Sequence, residues 1–168
     1  MYVSIIVVLQ AYLEILGLFS MALVIAGITP SLRQVMGYSA GLMLAIQSIR
    51  YLPFPFGIHT LLGLLFLMII VIKIGNVSSA KGFLAAFSSA VLIAVLEFGF
   101  HTLAFALLEV DVQTVATDPL LWALVGLPQA VTMIILALTV WHFRARKGTT
   151  EHHGLSSPQQ KSRSFLGL

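Results

Sequence analysis

The sequence predicts an all-α integral membrane protein, a polytopic helical bundle of about five transmembrane helices. Hydrophobic residues make up 59% of the 168 residues and charged residues only 9%, whereas a soluble domain has about half and about a quarter. The mean hydropathy is +1.02. Apolar stretches of about 20 residues, long enough to cross a hydrocarbon core as helices, recur along the chain. The lipid bilayer is therefore the first expected partner.

Five apolar segments are predicted to span the membrane. Thr29 is expected to cap and Pro30 to begin the helix that follows the first span. Pro53 and Pro55 break the chain before the third span, because residues that precede proline disfavour helix. The polar "KIGNVSSAKG" and the acidic "EVDVQTVATDP" separate the last three spans. The predicted spans are 3–28, 31–51, 56–74, 83–108 and 120–143, which together form one transmembrane domain, residues 1–143.

The charges predict an orientation in the cell membrane. With five spans, one side holds Arg33, Lys73, Lys81, Arg144, Arg146 and Lys147, and Arg50 lies on the other. The positive-inside rule makes the basic side cytoplasmic, with the N-terminus outside. Because Arg33 and Arg50 bracket the second span, it has an alternative interfacial position, which leaves four spans and both termini inside. The basic tail, residues 144–168, is expected to be disordered and cytoplasmic.

Polar side chains inside the predicted spans are the candidates for function, because each is costly in lipid unless paired or hydrated. Glu14 and Glu97 fall near the middle of their spans, and Gln10 and His101 each lie one turn from their glutamate on the same helix face. The candidates cluster between the midplane and the outer surface. The predicted ligand-binding residues are Gln10, Glu14, Gln47, Arg50, His59, Glu97, His101 and Gln129.

Three interpretations of this cluster stay open. One is a satisfied structural network, in which Arg50 neutralises a glutamate and His101 pairs with Glu97. Another is a ligand pocket open to the outside. The third is proton or cation handling by the two carboxylates. A metal site of Glu14, Glu97, His101 and His59 has no close-spaced ligand motif to support it, and we expect neither a metal nor another cofactor.

Further motifs bear on packing and on catalysis. Gly37 and Gly41 in the second span, and "AAFSSA" in the fourth, have the small-residue spacing that lets helices approach closely. The chain has no cysteine, which excludes thiolate chemistry. It also lacks G-x-S-x-G, H-E-x-x-H and a glycine-rich phosphate loop, so an enzyme is not expected. We expect no nucleic-acid partner.

The stretch "IRYLPFPFGIHTLLGLLFLMIIVIKI", with "LIAVLEFGF" after the next turn, resembles the N-terminal membrane module of certain Firmicute sensor histidine kinases. These are similar to the accessory gene regulator receptor (AgrC-like) and to sporulation-type kinases with a GHKL ATPase domain. The resemblance covers about residues 45–105 and rests on an arginine, the run at Pro53–Thr60 and Glu97. It implies a bundle that senses an extracellular or membrane-borne signal. After Phe143 this chain departs from the family, because no phosphoacceptor or ATP-binding segment follows.

The sequence therefore predicts a non-enzymatic sensory or ligand-binding membrane module that acts through a separate cytoplasmic or membrane signalling partner. Its ligand is expected to be a small molecule, a peptide or an ion. The alternative is a small transporter or channel subunit that uses Glu14 and Glu97 as proton or cation sites. A third possibility is a purely structural partner of another membrane protein.

Overall fold

The computed structural model describes residues 2–50, 58–108, 115 and 117–154, and for residues 2–4, 50, 108 and 145–154 it describes the backbone alone. Within these ranges five long helices follow one another: α1 (Tyr2–Ile25), α2 (Leu32–Arg50), α3 (Ile58–Gly75), α4 (Ser79–Leu108) and α5 (Pro119–Gly154). Every regular element in the described ranges is helical, which confirms the predicted all-α class. The break at Pro53 and Pro55 lies outside the described residues.

Four of these helices are long and apolar enough to cross a membrane, namely Ile5–Ile25, Ile58–Gly75, Ser79–Leu107 and Pro119–Arg144. Helix α2 has 19 residues, a length of about 28 Å, but it is not among the four. Arg33 and Gln34 open it and Arg50 closes it, which lowers its hydropathy. A membrane crossing by α2, and with it the count of five spans, stays a prediction.

Large apolar side chains cover the outside of the bundle. Along α4, Phe98 is 76% exposed, Leu107 73% and Val95 62%. Soluble proteins rarely leave a continuous apolar surface of this kind open to water. Only 17% of the apolar window of α3, and the same share of that of α4, is buried within the protein. These surfaces fit a lipid environment, and the fold is that of a multi-pass helical membrane protein.

Helix α1 occupies the centre of the bundle and contacts each of the other four helices. One face carries Phe19 and Leu23, which pack in a core cluster with Leu42 of α2, Leu67 of α3 and Ala85 of α4. The opposite face carries Met21, which packs with Met133 and Ala137 of α5. Residues 21–24 are all buried, because neighbours surround this half of α1.

The most extensive contact in the bundle joins α1 to α5, which run in the same direction. Small residues allow the two helices to approach closely. A Cβ atom added to Gly17 would lie 3.1 Å from the Met133 side chain and 3.4 Å from the Ala130 carbonyl oxygen. A Cβ added to Gly126 would lie 2.9 Å from Gln10 Nε2. The buried apolar positions of α5 recur at intervals of three and four residues: Ala123, Gly126, Ala130, Met133 and Ala137.

The packing motifs predicted from sequence have different outcomes. In "AAFSSA" the side chains of Ala85, Ala86 and Ser89 are fully buried, as a close helix contact requires. By contrast, no described atom lies within 4 Å of a Cβ placed on Gly37 or on Gly41. Within the described part of this chain, those two glycines therefore do not mediate helix packing.

Capping residues set helix boundaries that differ from those predicted. Helix α1 ends at Ile25, before position 28, because Gly27 adopts φ 73° and its amide donates to the Val24 carbonyl at 3.0 Å. Thr29 does not cap α2. The cap is Ser31, whose amide donates to Gln34 Oε1 at 3.0 Å while its hydroxyl accepts from the Gln34 amide at 3.4 Å.

The last two helices also have side-chain caps at their starts. Helix α4 begins at Ser79, earlier than the predicted 83, because the Ser78 hydroxyl accepts a hydrogen bond from the Lys81 amide at 3.4 Å. At α5 the Asp118 carboxylate accepts from the Leu120 amide at 2.8 Å, and Pro119 is the first helical residue. Helix α5 continues to Gly154 instead of ending at 143, because no helix breaker follows Pro128 until Gly148. The predicted disordered tail thus has a helical start at residues 144–154, and 155–168 lie outside the described ranges.

The close approach of α1 and α5 predicts that Gly17→Leu lowers the free energy of unfolding by about 1–3 kcal/mol, because the new side chain has no space beside Met133 and Ala130. Unfolding in detergent micelles, followed by circular dichroism, measures the change. Gly99→Leu is the matched control, since a Cβ at Gly99 of α4 has no described atom within 4 Å. Equal losses in the two variants would contradict the close α1–α5 contact.

Candidate functional site

Seven of the eight candidate side chains lie at one end of the bundle. We call it the polar end, where α1, α3 and α5 begin and α2 and α4 end; it holds Gln10, Glu14, Gln47, His59, Glu97, His101 and Gln129. Gln10 of α1 contacts Gly126 of α5, and His101 of α4 contacts Trp122 of α5. These parts of α1, α4 and α5 therefore lie at the same end of the bundle. The opposite, basic end holds Arg33, Lys73, Lys81 and Arg144.

Gln10 and Glu14 form a hydrogen-bonded pair on α1. Gln10 Nε2 donates to Glu14 Oε2 at 2.8 Å, one helical turn away. Gln10 is only 7% exposed because it packs against Gly126, where α5 has no side chain. Glu14 is half-buried. The interface between α1 and α5 therefore carries a carboxylate whose orientation is held by an amide.

Gln129 lies on α5 one turn beyond Gly126 and is 2% exposed. Its Oε1 atom is buried, and no hydrogen-bond partner reaches it from the described part of the chain. A buried amide oxygen without a partner costs about 1–3 kcal/mol. Its burial between apolar helices makes Gln129 the most unusual polar residue at the polar end.

Glu97 and His101 do not form the side-chain pair on which the structural-network interpretation relies. His101 Nδ1 lies 2.8 Å from the Glu97 backbone carbonyl. Because a carbonyl only accepts, Nδ1 carries the proton and donates to it. The Glu97 carboxylate is half-buried and hydrogen-bonds to no other described residue. Because His101 lies four residues after Glu97, its imidazole reaches the Glu97 backbone carbonyl. The Glu97 carboxylate is thus left without a hydrogen bond to another described residue.

Aromatic rings hold the His101 imidazole from two sides. The centroid of Trp122 on α5 lies 4.7 Å from that of His101, and the Phe105 ring lies 5.9 Å away in an edge-on arrangement. His101 Nε2 is buried, and none of the described residues offers it a hydrogen bond. In the neutral tautomer that carries its proton on Nδ1, Nε2 is a hydrogen-bond acceptor.

The remaining candidates are placed on α2 and α3. Gln47 is half-buried and makes no hydrogen bond to another described residue, and His59 is half-buried in the first turn of α3. Arg50 is the last residue of α2, and its side chain lies outside the described residues. Neutralisation of a glutamate by Arg50 thus stays a prediction. Within the described ranges, no three His, Cys, Asp or Glu residues come close enough to hold a metal ion.

Three residues at the polar end were missed by sequence reasoning: Phe105, Trp122 and Gly126. Trp122, Val125 and Gln129 follow one another at helical spacing on one face of α5. Gly126 and Ala130 have the same small-residue spacing as the glycines of α2. The residue spacing therefore indicated a possible packing face on α5. Spacing alone does not reveal whether another helix packs against that face.

Comparisons with known proteins do not assign the chain to a family: no family model matches it, and no curated protein or solved structure is significantly similar. The class of protein rests on the fold alone, a polytopic all-α bundle with helices able to span a membrane. The resemblance to sensor-kinase membrane modules stays a prediction.

The contrast between the two buried glutamines predicts opposite effects on stability. Gln129→Leu should raise the free energy of unfolding by about 1–3 kcal/mol, because it removes a buried oxygen that has no described partner. Gln10→Leu should lower the free energy of unfolding, because it removes the hydrogen bond from Gln10 Nε2 to Glu14 Oε2. Thermal unfolding of both variants in detergent measures the difference. A large loss of stability in Gln129→Leu would contradict this assignment of Gln129.

Proposed function

We propose that the protein is a non-enzymatic membrane module that binds a small, donor-rich ligand, such as an amine or organic cation, at its polar end. The observation that carries this proposal is the pair of buried acceptors without a described partner, Gln129 Oε1 and His101 Nε2. Native proteins leave few buried polar atoms unpaired, and such atoms call for an explanation at each site.

A third atom of this kind, Ser39 Oγ, has a simpler explanation. A serine hydroxyl on a helix reaches the carbonyl four residues earlier by rotating one bond. Neither the Gln129 amide, packed at an interface, nor the His101 ring, already bonded through Nδ1, has this freedom. The unsatisfied acceptors of α4 and α5 therefore support a binding site.

The positions of these acceptors follow a line along α4 and α5. Trp122, which contacts His101, and Gln129 lie two turns apart on one face of α5, a separation of about 10 Å. Glu97 lies one turn from His101 along α4, on the side toward the middle of the helix. Its depth is thus between those of His101 and Gln129. We call this proposed site between α4 and α5 the ligand groove. Its two acceptors and its carboxylate favour ligands that carry N–H groups and positive charge.

The Trp122 ring adds a second feature that suits a cation. It is 41% exposed beside His101, and an aromatic face attracts an ammonium or guanidinium group within about 6 Å. Glu14, held by Gln10 on the neighbouring α1, adds negative charge at the same end. The chemistry therefore favours an organic cation over an anionic or purely apolar ligand.

Signal output in this proposal runs through α5. The helix passes the polar end, packs along α1 and continues beyond Arg144 to Gly154. A ligand that pulls α4 toward α5 shifts α5 against α1, and the extension carries that shift out of the membrane to a separate partner. The basic side is cytoplasmic in this proposal, in agreement with the positive-inside rule.

The absence of cysteine provides a direct test of the groove. Val125→Cys places a thiol between Trp122 and Gln129, and we expect a water-soluble thiol reagent to modify it in intact membranes. Excess spermidine should slow the reaction at least several-fold, and acetate at equal ionic strength should not. Ala137→Cys, on the same helix but fully packed against α1, should stay unmodified. An unreactive Val125→Cys would reject the groove, and equal protection by acetate would reject the cation.

A small transporter or channel subunit is the second candidate, and the availability of the Glu97 carboxylate favours it. A carboxylate within a membrane span is able to exchange protons or bind cations during transport. In proteoliposomes with a trapped pH dye, this candidate predicts proton flux that Glu97→Gln reduces at least tenfold and that Glu151→Gln, beyond the span, leaves unchanged. Saturable spermidine binding without flux rejects transport and favours the sensor.

A further inference from the structure

The basic end holds a cavity that neither the proposed ligand site nor its signal output uses. Its volume is about 230 Å³, and it is lined by Val24, Gly27, Ile28, Thr29, Trp141 and Arg144. This is several times the roughly 30 Å³ that a water molecule occupies in the liquid. We call it the Gly27 cavity.

Two cations lie close to Gly27, and one of them, Arg144, also lines the cavity. From the position of a Cβ on Gly27, Arg144 Nη1 lies 3.7 Å away and Lys81 Nζ 3.8 Å away. Glycine is required there because its φ of 73° lies in the left-handed region. Because Gly27 has no side chain, the position that a Cβ would occupy is left open beside both cations.

Neither cation is neutralised by a described carboxylate. Arg144 Nη1 donates to the Val24 carbonyl, at the negative end of the α1 dipole. The guanidinium has further N–H donors, and the Lys81 ammonium donates to no described residue. The carboxylates whose side chains are described, Glu14, Glu97 and Asp118, all belong to the polar end of the bundle. Two positive charges this close call for an anion between them.

The walls of the cavity define the kind of anion. Thr29 and Arg144 supply polar groups, whereas Val24, Ile28 and Trp141 supply apolar surface. The apolar window of α5 ends at Arg144 and that of α1 at Ile25, so the cavity lies at the membrane boundary. Tryptophan is enriched at this depth, and polybasic sites there attract anionic lipids.

We propose that the Gly27 cavity binds a phosphate group, that of an anionic phospholipid, between Arg144 and Lys81, with Trp141 against the glycerol region. A soluble phosphate ester has the same phosphate chemistry, but it lacks the lipid body that the apolar wall covers. This site is independent of the ligand groove at the polar end.

Quenching of Trp141 fluorescence tests the proposal in the full-length chain. The protein has two tryptophans, so Trp122→Phe leaves Trp141 as the reporter while keeping an aromatic ring beside His101. The probes are brominated phosphatidylglycerol and brominated phosphatidylcholine in vesicles. We expect phosphatidylglycerol to quench Trp141 at a concentration about tenfold or more below that of phosphatidylcholine. Each of the two cations contributes about fivefold to this preference. Equal quenching by the two lipids overturns the proposal.

Charge variants separate this site from general surface attraction. Lys81→Gln should reduce the preference about fivefold, and it removes no hydrogen bond to a described residue. Lys73→Gln deletes an equal charge at the same end of the bundle. Unlike Lys81, Lys73 has no atom within 4 Å of a Cβ on Gly27, so this variant should leave the preference within about twofold. An equal loss in both variants overturns the proposal.

Arg144→Gln should also reduce the preference for phosphatidylglycerol. Arg144→Lys keeps the positive charge, so it should retain most of that preference and controls for loss of the contact with Val24. Competition with inorganic phosphate at constant ionic strength distinguishes the source of the phosphate group. Failure of phosphate to displace phosphatidylglycerol supports a lipid site. Full displacement by phosphate alone overturns the lipid assignment.

Discussion

The close packing of α1 against α5 organises the whole bundle. In lipid there is little hydrophobic driving force between helices, so association relies on close van der Waals contact and on hydrogen bonds between helices. Gly17 of α1 and Gly126 of α5 provide the close approach. Because α1 also contacts α2, α3 and α4, its position against α5 sets the positions of all the other helices.

The same interface explains why polar groups are buried at one end. The amide of Gln10 occupies the space that Gly126 leaves, and from there it holds the Glu14 carboxylate. Gln129 lies one turn further along α5 and is buried without a described partner for Oε1. Toward the other end the contact becomes apolar, with Met21 against Met133 and Ala137. One pair of helices thus has a polar half and an apolar half.

At the basic end a different interaction joins α1 to α5. Gly27 terminates α1, and Arg144 of α5 donates to the Val24 carbonyl that the helix end exposes. The two helices are therefore joined at both ends. At the polar end the Gln10 amide packs on Gly126, and at the basic end the Arg144 guanidinium donates to the Val24 carbonyl. The proposed ligand site and the Gly27 cavity thus lie at opposite ends of α5.

Reading the chain residue by residue is enough to establish the class of protein, the approximate helix positions and the end of the bundle at which the polar candidates lie. Apolar length, the few charges and the position of each residue along its helix suffice for these conclusions. Only the packed bundle reveals that α1 is central and that Gly126 contacts a helix while Gly37 and Gly41 face open space. It also reveals that His101 bonds to the Glu97 backbone and packs on Trp122. The difference arises because residue spacing defines a helix face, whereas the neighbour of that face depends on how all five helices pack together.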